Sequence, residues 1–402
     1  MRKATGPLEQ EEFTPSFSYK DLPIDHRLKV NILKKGYSAP TPIQDGSILH
    51  ITEGRDVLGI ANTGTGKTAA FLIPLIHKCL LDEQHERVLI MVPTREIATQ
   101  IQDEFIAFAH GLQIGSTVCV GGLPIYRQIR DLKQHPTFVI ATPGRLKDLI
   151  ERKAIDFKQF TRVVLDEADR MVDMGFIDDI REILAYLPKK RQSLFFSATL
   201  PEQVKRLIHS FLTDPVTVSV KKQDTSANVE QEVVWISPGD DKLKILAGLL
   251  RQSHFNKVLI FGRTKRWVDR LTEYLVQEGF KALCIHGDKV QSQRQRALDM
   301  FKSNKAQILV ATDVAARGLD IPDVSHVINY DTPESYEDYV HRIGRTGRAD
   351  KQGHAITFVE RAALQDRSGG RGPSRGGFGG GGRGGRPSRG PSRGPSRGGF
   401  RR

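Results

Sequence analysis

The chain lacks any run of about 18 apolar residues, the length a membrane-spanning helix needs. Its first residues, MRKATGPLEQEEF, hold no apolar core of a secretory leader. It has only three cysteines, Cys79, Cys119 and Cys284, far apart and each inside an apolar run. No disulfide framework or metal-ligand spacing follows from them. The expectation is reduced core thiols in a soluble, cytoplasmic protein. From Arg367 to Arg402 there is no acid at all. Ten arginines there carry ten of the thirteen net positive charges, leaving +3 for residues 1–366. A near-neutral body with a strongly basic tail predicts a polyanionic partner such as nucleic acid. An anionic membrane would also attract that charge, but no amphipathic helix accompanies it.

At 402 residues and 39% hydrophobic, the chain can support about two domains. Residues 1–16 are polar and expected to be mobile. Seven short apolar runs follow, separated by helical patterns: VLGIA (57–61), VLIMV (88–92), GSTVCV (115–120), FVIAT (138–142), RVVLDE (162–167), SLFFSA (193–198) and PVTVSV (215–220). Continuous apolar strands alternating with helices predict an α/β fold whose parallel sheet is covered on both faces. The polar stretch 221–231, KKQDTSANVEQ, predicts a linker. A second series, EVVWIS, KVLIF, KALCIH, QILVAT, HVINY and AITFVE, then predicts a second α/β lobe over 232–366. Beyond it, PSRG repeats three times over 387–398 and RGGF occurs at 375–378 and 397–400. With almost no aliphatic residues, the tail 367–402 cannot offset its chain entropy by burial and is expected to be disordered.

ANTGTGKT, Ala61 to Thr68, follows the first apolar run and opens the helical pattern AAFLIPLIHKCLL. A glycine-rich turn at a strand–helix junction can be only a tight turn. The Lys-Thr ending instead predicts a phosphate cradle of backbone N–H groups at a helix N-terminus. Lys67 would neutralise phosphate, and the Thr68 hydroxyl would ligate Mg²⁺. RVVLDEADRM supplies the matching carboxylates, Asp166, Glu167 and Asp169. An acidic strand end can simply cap a helix. Beside a phosphate loop, Asp166 is the expected Mg²⁺ ligand, and Glu167 would orient or deprotonate water. Together these predict binding, and hydrolysis, of a nucleoside triphosphate.

Further motifs occur in a fixed order: GYSAPTPIQ (36–44), PTREIATQ (93–100), GG (121–122), TPGR (142–145), DEAD (166–169), SAT (197–199), IFGRT (260–264), QSQR (291–294), ATDVAARGLD (311–320) and HRIGRTGR (341–348). This set resembles the DEAD-box RNA helicases over roughly residues 17–360. The resemblance implies two RecA-like lobes, ATP and Mg²⁺ as cofactors, and single-stranded RNA as partner. It implies an ATP site built from Gln44, Ala61, Asn62, Thr63, Gly64, Thr65, Gly66, Lys67 and Thr68, with Asp320, Arg345 and Arg348 reaching in from the second lobe. Asn62 stands where such proteins frequently carry glutamine. Gln44 would read the adenine edge. Tyr19, 17 positions before Gly36, fits the register of the base-stacking aromatic, with Phe17 as the alternative. Ser197, Thr199 and His341 would couple hydrolysis to lobe closure, although Ser197 and Thr199 could equally cap the helix starting near Pro201. RNA contacts are implied for Pro93, Thr94, Arg95, Gly121, Gly122, Thr142, Gly144 and Arg145 in the first lobe. In the second they are implied for Arg263, Gln291, Arg294, Thr312 and Gly318.

The resemblance also implies a monomer that separates short duplexes locally, the stretch RLKDLIERK bending the bound strand. Ribosome-assembly or RNA-degradation proteins would be compatible partners. Two other readings remain: an RNA chaperone with an idle nucleotide site, and a translocating DNA helicase. After Glu360 only the short fragment RAALQDR precedes the glycines, where such proteins usually continue a longer helix.

Overall fold

The computed structural model describes residues 13–62, 64–82, 86–220, 229–316, 321, 323–347 and 352–361. Thr63, Gly318, Asp320, Arg348, most of the expected linker, the RAALQDR fragment after its first residue and the arginine-rich tail lie outside the described residues.

Two parallel sheets stand where the two series of apolar runs predicted them. The first contains β1 (Val57–Ile60), β2 (Arg87–Met91), β3 (Ser116–Cys119), β4 (Phe138–Ala141), β5 (Phe160–Leu165), β6 (Gln192–Ser197) and β7 (Val216–Ser219), in the order β3-β4-β2-β5-β6-β1-β7. The second contains β8 (Val229–Ile236), β9 (Val258–Phe261), β10 (Ala282–Ile285), β11 (Ile308–Ala311), β12 (His326–Asn329) and β13 (Gly353–Glu360), in the order β10-β11-β9-β12-β13-β8.

Alternation within the strands explains why they read as unbroken apolar runs. In β2, Val88 and Ile90 enter the core on one face of the sheet, and Leu89 and Met91 enter the core on the other. In β9, Val258 and Ile260 divide from Leu259 and Phe261 in the same way. Both faces are covered by helices, so neither side-chain set can be polar.

One boundary differs from the expectation. Residues 229–231, assigned to the linker, are the start of β8. Their polarity has a structural reason, because β8 is the edge of its sheet and Glu230, Gln231 and Glu232 are exposed. Charge on an edge strand discourages pairing with another chain. Among the described residues, no helix is long and apolar enough to cross a membrane.

Candidate functional site

The loops that matter follow the C-terminal ends of parallel strands, where ligands bind in open α/β sheets. The backbone N–H of Ala61, just past β1, donates to the Ser197 carbonyl at the end of β6 at 3.0 Å, tying the glycine-rich loop to the SAT segment. Gly64 and Gly66 have φ of 84° and 94°, a left-handed backbone that lets the loop turn inward. Side chains hold the loop from outside. The Thr41 hydroxyl donates to the Thr65 carbonyl at 2.7 Å, and Gln44 Nε2 donates to the Gly66 carbonyl at 3.0 Å.

Lys67 opens the helix Lys67–Leu81 and is 6% exposed. Its Nζ is buried with no hydrogen-bond partner among the described residues. A buried ammonium without a partner is costly, so the pocket is built for an anion. Asp166, just beyond β5, is buried as well. Burial pushes its carboxyl above the ordinary range, and the nearby Lys67 charge opposes that push. Asp166 and the half-buried Thr68 hydroxyl form the hard-oxygen set that Mg²⁺ selects, so these residues fit the metal.

Glu167 has φ 52° and ψ 48°, an uncommon conformation for a residue with a Cβ. Its carboxylate pairs with Arg170 at 3.2 Å. Asp169 Oδ2 accepts from the Ala198 N–H, the Thr199 N–H and the Thr199 hydroxyl at 3.2, 2.8 and 2.9 Å. The Ser197 hydroxyl accepts from the Asp169 N–H at 3.3 Å and donates to the Thr199 carbonyl at 2.7 Å. The alternative capping role is thereby answered: Pro201 occupies the cap of the helix Glu202–Phe211, and Ser197 and Thr199 are joined to the DEAD segment instead.

Tyr19 is 0% exposed and its hydroxyl donates to Gln44 Oε1 at 2.8 Å, which orients Gln44. Phe17, packed edge-on to Tyr19 at 6.4 Å, is only partly buried and is the aromatic with an accessible surface. Gln44 is itself buried, its Oε1 also accepting from the Thr41 N–H at 2.8 Å.

The RNA-implied residues of the first lobe lie at the ends of β2, β3 and β4. Arg95 packs directly over Gly121 and Gly122, and a Cβ on Gly122 would collide with its guanidinium. Pro93, Thr94 and Thr142 are buried beside these strand ends, and Gly144 is open with nothing near its missing Cβ. Arg145 is 8% exposed and donates to the Leu123 carbonyl at 3.2 and 3.3 Å. Its guanidinium shapes the GG loop.

In the second lobe, Arg263 is exposed and Thr312 is buried at the end of β11. Gln291 and Arg294 make a contact that motif reading did not anticipate. Both bond the first lobe's Glu96, Gln291 Nε2 at 3.1 Å and Arg294 Nη2 at 2.8 Å. Arg345 is 3% exposed and its Nε donates to the His341 carbonyl at 3.2 Å, within the helix Tyr336–Ile343 and its end. Arg342 clamps Asp313 with two bonds of 2.6 and 2.7 Å and donates to the Asp331 carbonyl at 2.6 Å.

Motif reading missed Glu96 and Arg170, both of which span the lobes. Arg170 Nη2 donates to the Val314 carbonyl at 2.7 Å. Their local signal was absorbed by helix position: Glu96 is an acid in a first helical turn, and Arg170 a base in a last one. The cysteine expectation also needs one addition. Packing brings Asp269, Cys284 and His286 together, with donor atoms within 4.8 Å of one another. The cation there is already supplied by Lys289, whose Nζ lies 2.8 Å from Asp269. Cys79 and Cys119 are free thiols that burial pushes up to about 12, hence inert.

A glycine-rich loop with a buried lysine and a buried aspartate, set on one of two parallel α/β sheets, defines a nucleotide-binding protein, and comparison with known proteins agrees. Residues 41–207 match the family model "DEAD/DEAH box helicase", and residues 241–350 match "Helicase conserved C-terminal domain". The chain is similar to the ATP-dependent RNA helicase CshA of Limosilactobacillus reuteri, 43% identical over 85% of this chain and 69% of that protein. CshA of Listeria monocytogenes is 44% identical over 85% of this chain and 66% of that one. The chain thus spans about two thirds of the length of these curated relatives. Among solved structures it is similar to Mss116p bound to ssRNA and AMP-PNP, with TM-score 0.79, 29% identity, and coverage of 89% and 77% of the two chains. S. cerevisiae Dbp5 bound to RNA and ADP BeF3 follows, with TM-score 0.75, 28% identity, and coverage of 88% and 93%. This chain belongs to the DEAD-box helicase family.

Proposed function

We propose that the chain is an ATP-dependent RNA helicase in which RNA-stimulated ATP hydrolysis is coupled to lobe closure and local, non-processive separation of short duplexes. The observation that carries this reading is the buried, unpartnered Lys67 ammonium beside Asp166 and Glu167, with Glu167 linked through Arg170 to the other lobe. Lys67 and the loop N–H groups would bind the triphosphate, and Gln44 would exchange a protein partner for the adenine edge. Thr68 and Asp166 would hold Mg²⁺, which supplies charge neutralisation at the phosphates. Glu167 would position the attacking water and hold its proton. Arg345 and Arg348 would stabilise charge on the γ-phosphoryl group, an effect of about 10³–10⁵ in rate in related phosphoryl transfer.

Similarity to relatives named as RNA helicases and to structures described as RNA-bound supports RNA as the partner. The strand would lie along Arg95, Gly121, Gly122 and Thr142 and reach Arg263 and Thr312. Small residues and backbone N–H groups there favour sugar–phosphate contacts that ignore base identity. The Glu96 contacts to Gln291 and Arg294 support a closed arrangement of the lobes. Ligands that each bind both lobes would favour closure together, which is reciprocal coupling. At about 1.4 kcal/mol per base-pair step on duplex DNA, only short duplexes are reasonable targets per cycle. The tail would add sequence-tolerant affinity through arginine and through stacking by Phe378 and Phe400. Monomeric action in the cytoplasm, alongside ribosome-assembly or RNA-decay proteins, is the compatible setting.

The deciding experiment is ATPase activity with and without RNA, comparing the native chain with Glu167→Gln and Arg348→Ala. RNA-stimulated turnover lost in both variants supports the reading. A chain that anneals RNA yet hydrolyses no ATP would be a chaperone instead, and processive unwinding of long blunt DNA would indicate a duplex translocase.

A further inference from the structure

Arg170 is 6% exposed, and among the described residues its guanidinium bridges acceptors on both lobes. Nη1 donates to Glu167 Oε2 at 3.2 Å, and Nη2 donates to the Val314 carbonyl at 2.7 Å. Glu167 sits in a left-handed backbone, so a relaxed helix does not set the direction of its side chain. Its carboxylate is instead paired with the Arg170 guanidinium. On the far side, Val314 lies in the short helix Asp313–Ala316, directly after Thr312 at the end of β11. Asp313 is clamped by two bonds from Arg342, so the Val314 carbonyl is held by a rigid turn. Within three residues this turn joins an expected RNA contact, an anchor to the HRIGRTGR helix and an acceptor for the group that orients the catalytic carboxylate.

We infer that Arg170 is a positioning residue that transmits engagement of the second lobe to Glu167; the inference rests on the reading of the chain as an RNA-stimulated ATPase. With the Val314 carbonyl in reach, the guanidinium is fixed at both ends and holds the Glu167 carboxylate in one orientation for water. With the second lobe withdrawn, one acceptor is lost and that orientation relaxes. Arginine suits the task because its planar fork serves two acceptors at once, which a lysine ammonium on a flexible stem does not reproduce.

The test compares the full native chain with Arg170→Gln and Arg170→Lys, measuring steady-state ATP turnover against RNA and ATP concentration. In Arg170→Gln, RNA-saturated kcat should fall about 10–100-fold, the scale of a misplaced catalytic group. The ratio of RNA-saturated to RNA-free turnover should collapse towards one, with KM for ATP within about three-fold. Arg170→Lys should recover only part of the loss. Asp313→Asn, which loosens the turn without touching Arg170, should lower the same ratio and serves if the Arg170 variants fail to fold. The inference is overturned if Arg170→Gln keeps RNA-saturated kcat within two-fold, if both turnovers fall equally, or if lysine restores full activity. If the native chain itself shows no RNA stimulation, the functional reading fails first and takes this one with it.

Discussion

Glu96 Oε1 accepts from Arg294 Nη2 at 2.8 Å and from Gln291 Nε2 at 3.1 Å, so one carboxylate of the first lobe holds two side chains of the second. Glu96 is 3% exposed and the Arg294 side chain 13%, so the contact is largely shielded from solvent screening. Breaking a shielded pair from one side is costlier than removing both partners. Glu96→Gln should therefore raise the RNA concentration for half-maximal ATPase by about ten-fold, the effect of roughly 1.4 kcal/mol. A double-mutant cycle with Arg294→Met should give a coupling of about 1–3 kcal/mol. Additive single effects would mean that the contact plays no part in the working cycle.

Glu167→Gln and Lys67→Ala should separate chemistry from binding. The first keeps the shape of the site but removes the base, and turnover should fall about 10²–10⁴-fold. Fluorescent-nucleotide titration should still detect ATP binding. The second removes the ammonium built to meet phosphate, and ATP affinity itself should drop. Equal losses of affinity in both variants would contradict the division of labour.

Gly122 has φ 71°, and a Cβ there would run into the Arg95 guanidinium. Gly122→Ala should cost about 1–2 kcal/mol in local backbone strain and also displace Arg95 from the GG loop. RNA affinity, read by fluorescence anisotropy, should weaken by at least about five-fold, with 1.4 kcal/mol equal to a factor of ten. Unchanged affinity would remove the GG loop from the RNA path.

His326 is 3% exposed and stacks on His354 at 4.9 Å, with His254 5.4 Å away. Burial first, then the neighbouring His354 and His254, lower its pKa from 6.5 to about 4. Ser325 Oγ lies 3.0 Å from its Nδ1, and Glu230 faces His354 at 3.4 Å. The unfolded chain takes up the proton near 6.5 and the folded chain only near 4. Stability is therefore full above pH 6.5 and is lost as pH falls towards 4. Between pH 7.5 and 5 the loss should reach at most about 2 kcal/mol. Urea unfolding followed by Trp235 and Trp267 fluorescence checks it, and a stability independent of pH over that range would contradict it.

Deleting 367–402 removes ten arginines. If about six of them meet phosphates, the log–log salt slope of RNA binding should flatten by roughly four. An unchanged slope would make the tail a linker that does not touch RNA.

How much was legible depends on whether a property repeats along the chain or arises where distant segments meet. The parallel sheets were readable because a strand buried on both faces must be apolar at every position, as in β2 and β9. The nucleotide loop was readable because its function requires glycines at a strand–helix junction followed by lysine and threonine. Glu96 and Arg170 were not, since each satisfies a local helix preference and leaves nothing over to explain. Spacing set the register of Tyr19, whereas its burial against Gln44 depends on what packs around the ring.

By itself the sequence determined the two-lobed α/β architecture, the phosphate site, the near-neutral body with its basic tail, and the family. These follow from burial periodicity, backbone freedom and net charge, which are additive along the chain. Only the tertiary structure decided that Tyr19 orients Gln44, that Ser197 and Thr199 bind the DEAD segment, and that Gln291, Arg294 and Val314 face the first lobe. A hydrogen bond between segments 25 to 195 residues apart is set by the three-dimensional meeting of two surfaces, and no local pattern encodes that meeting.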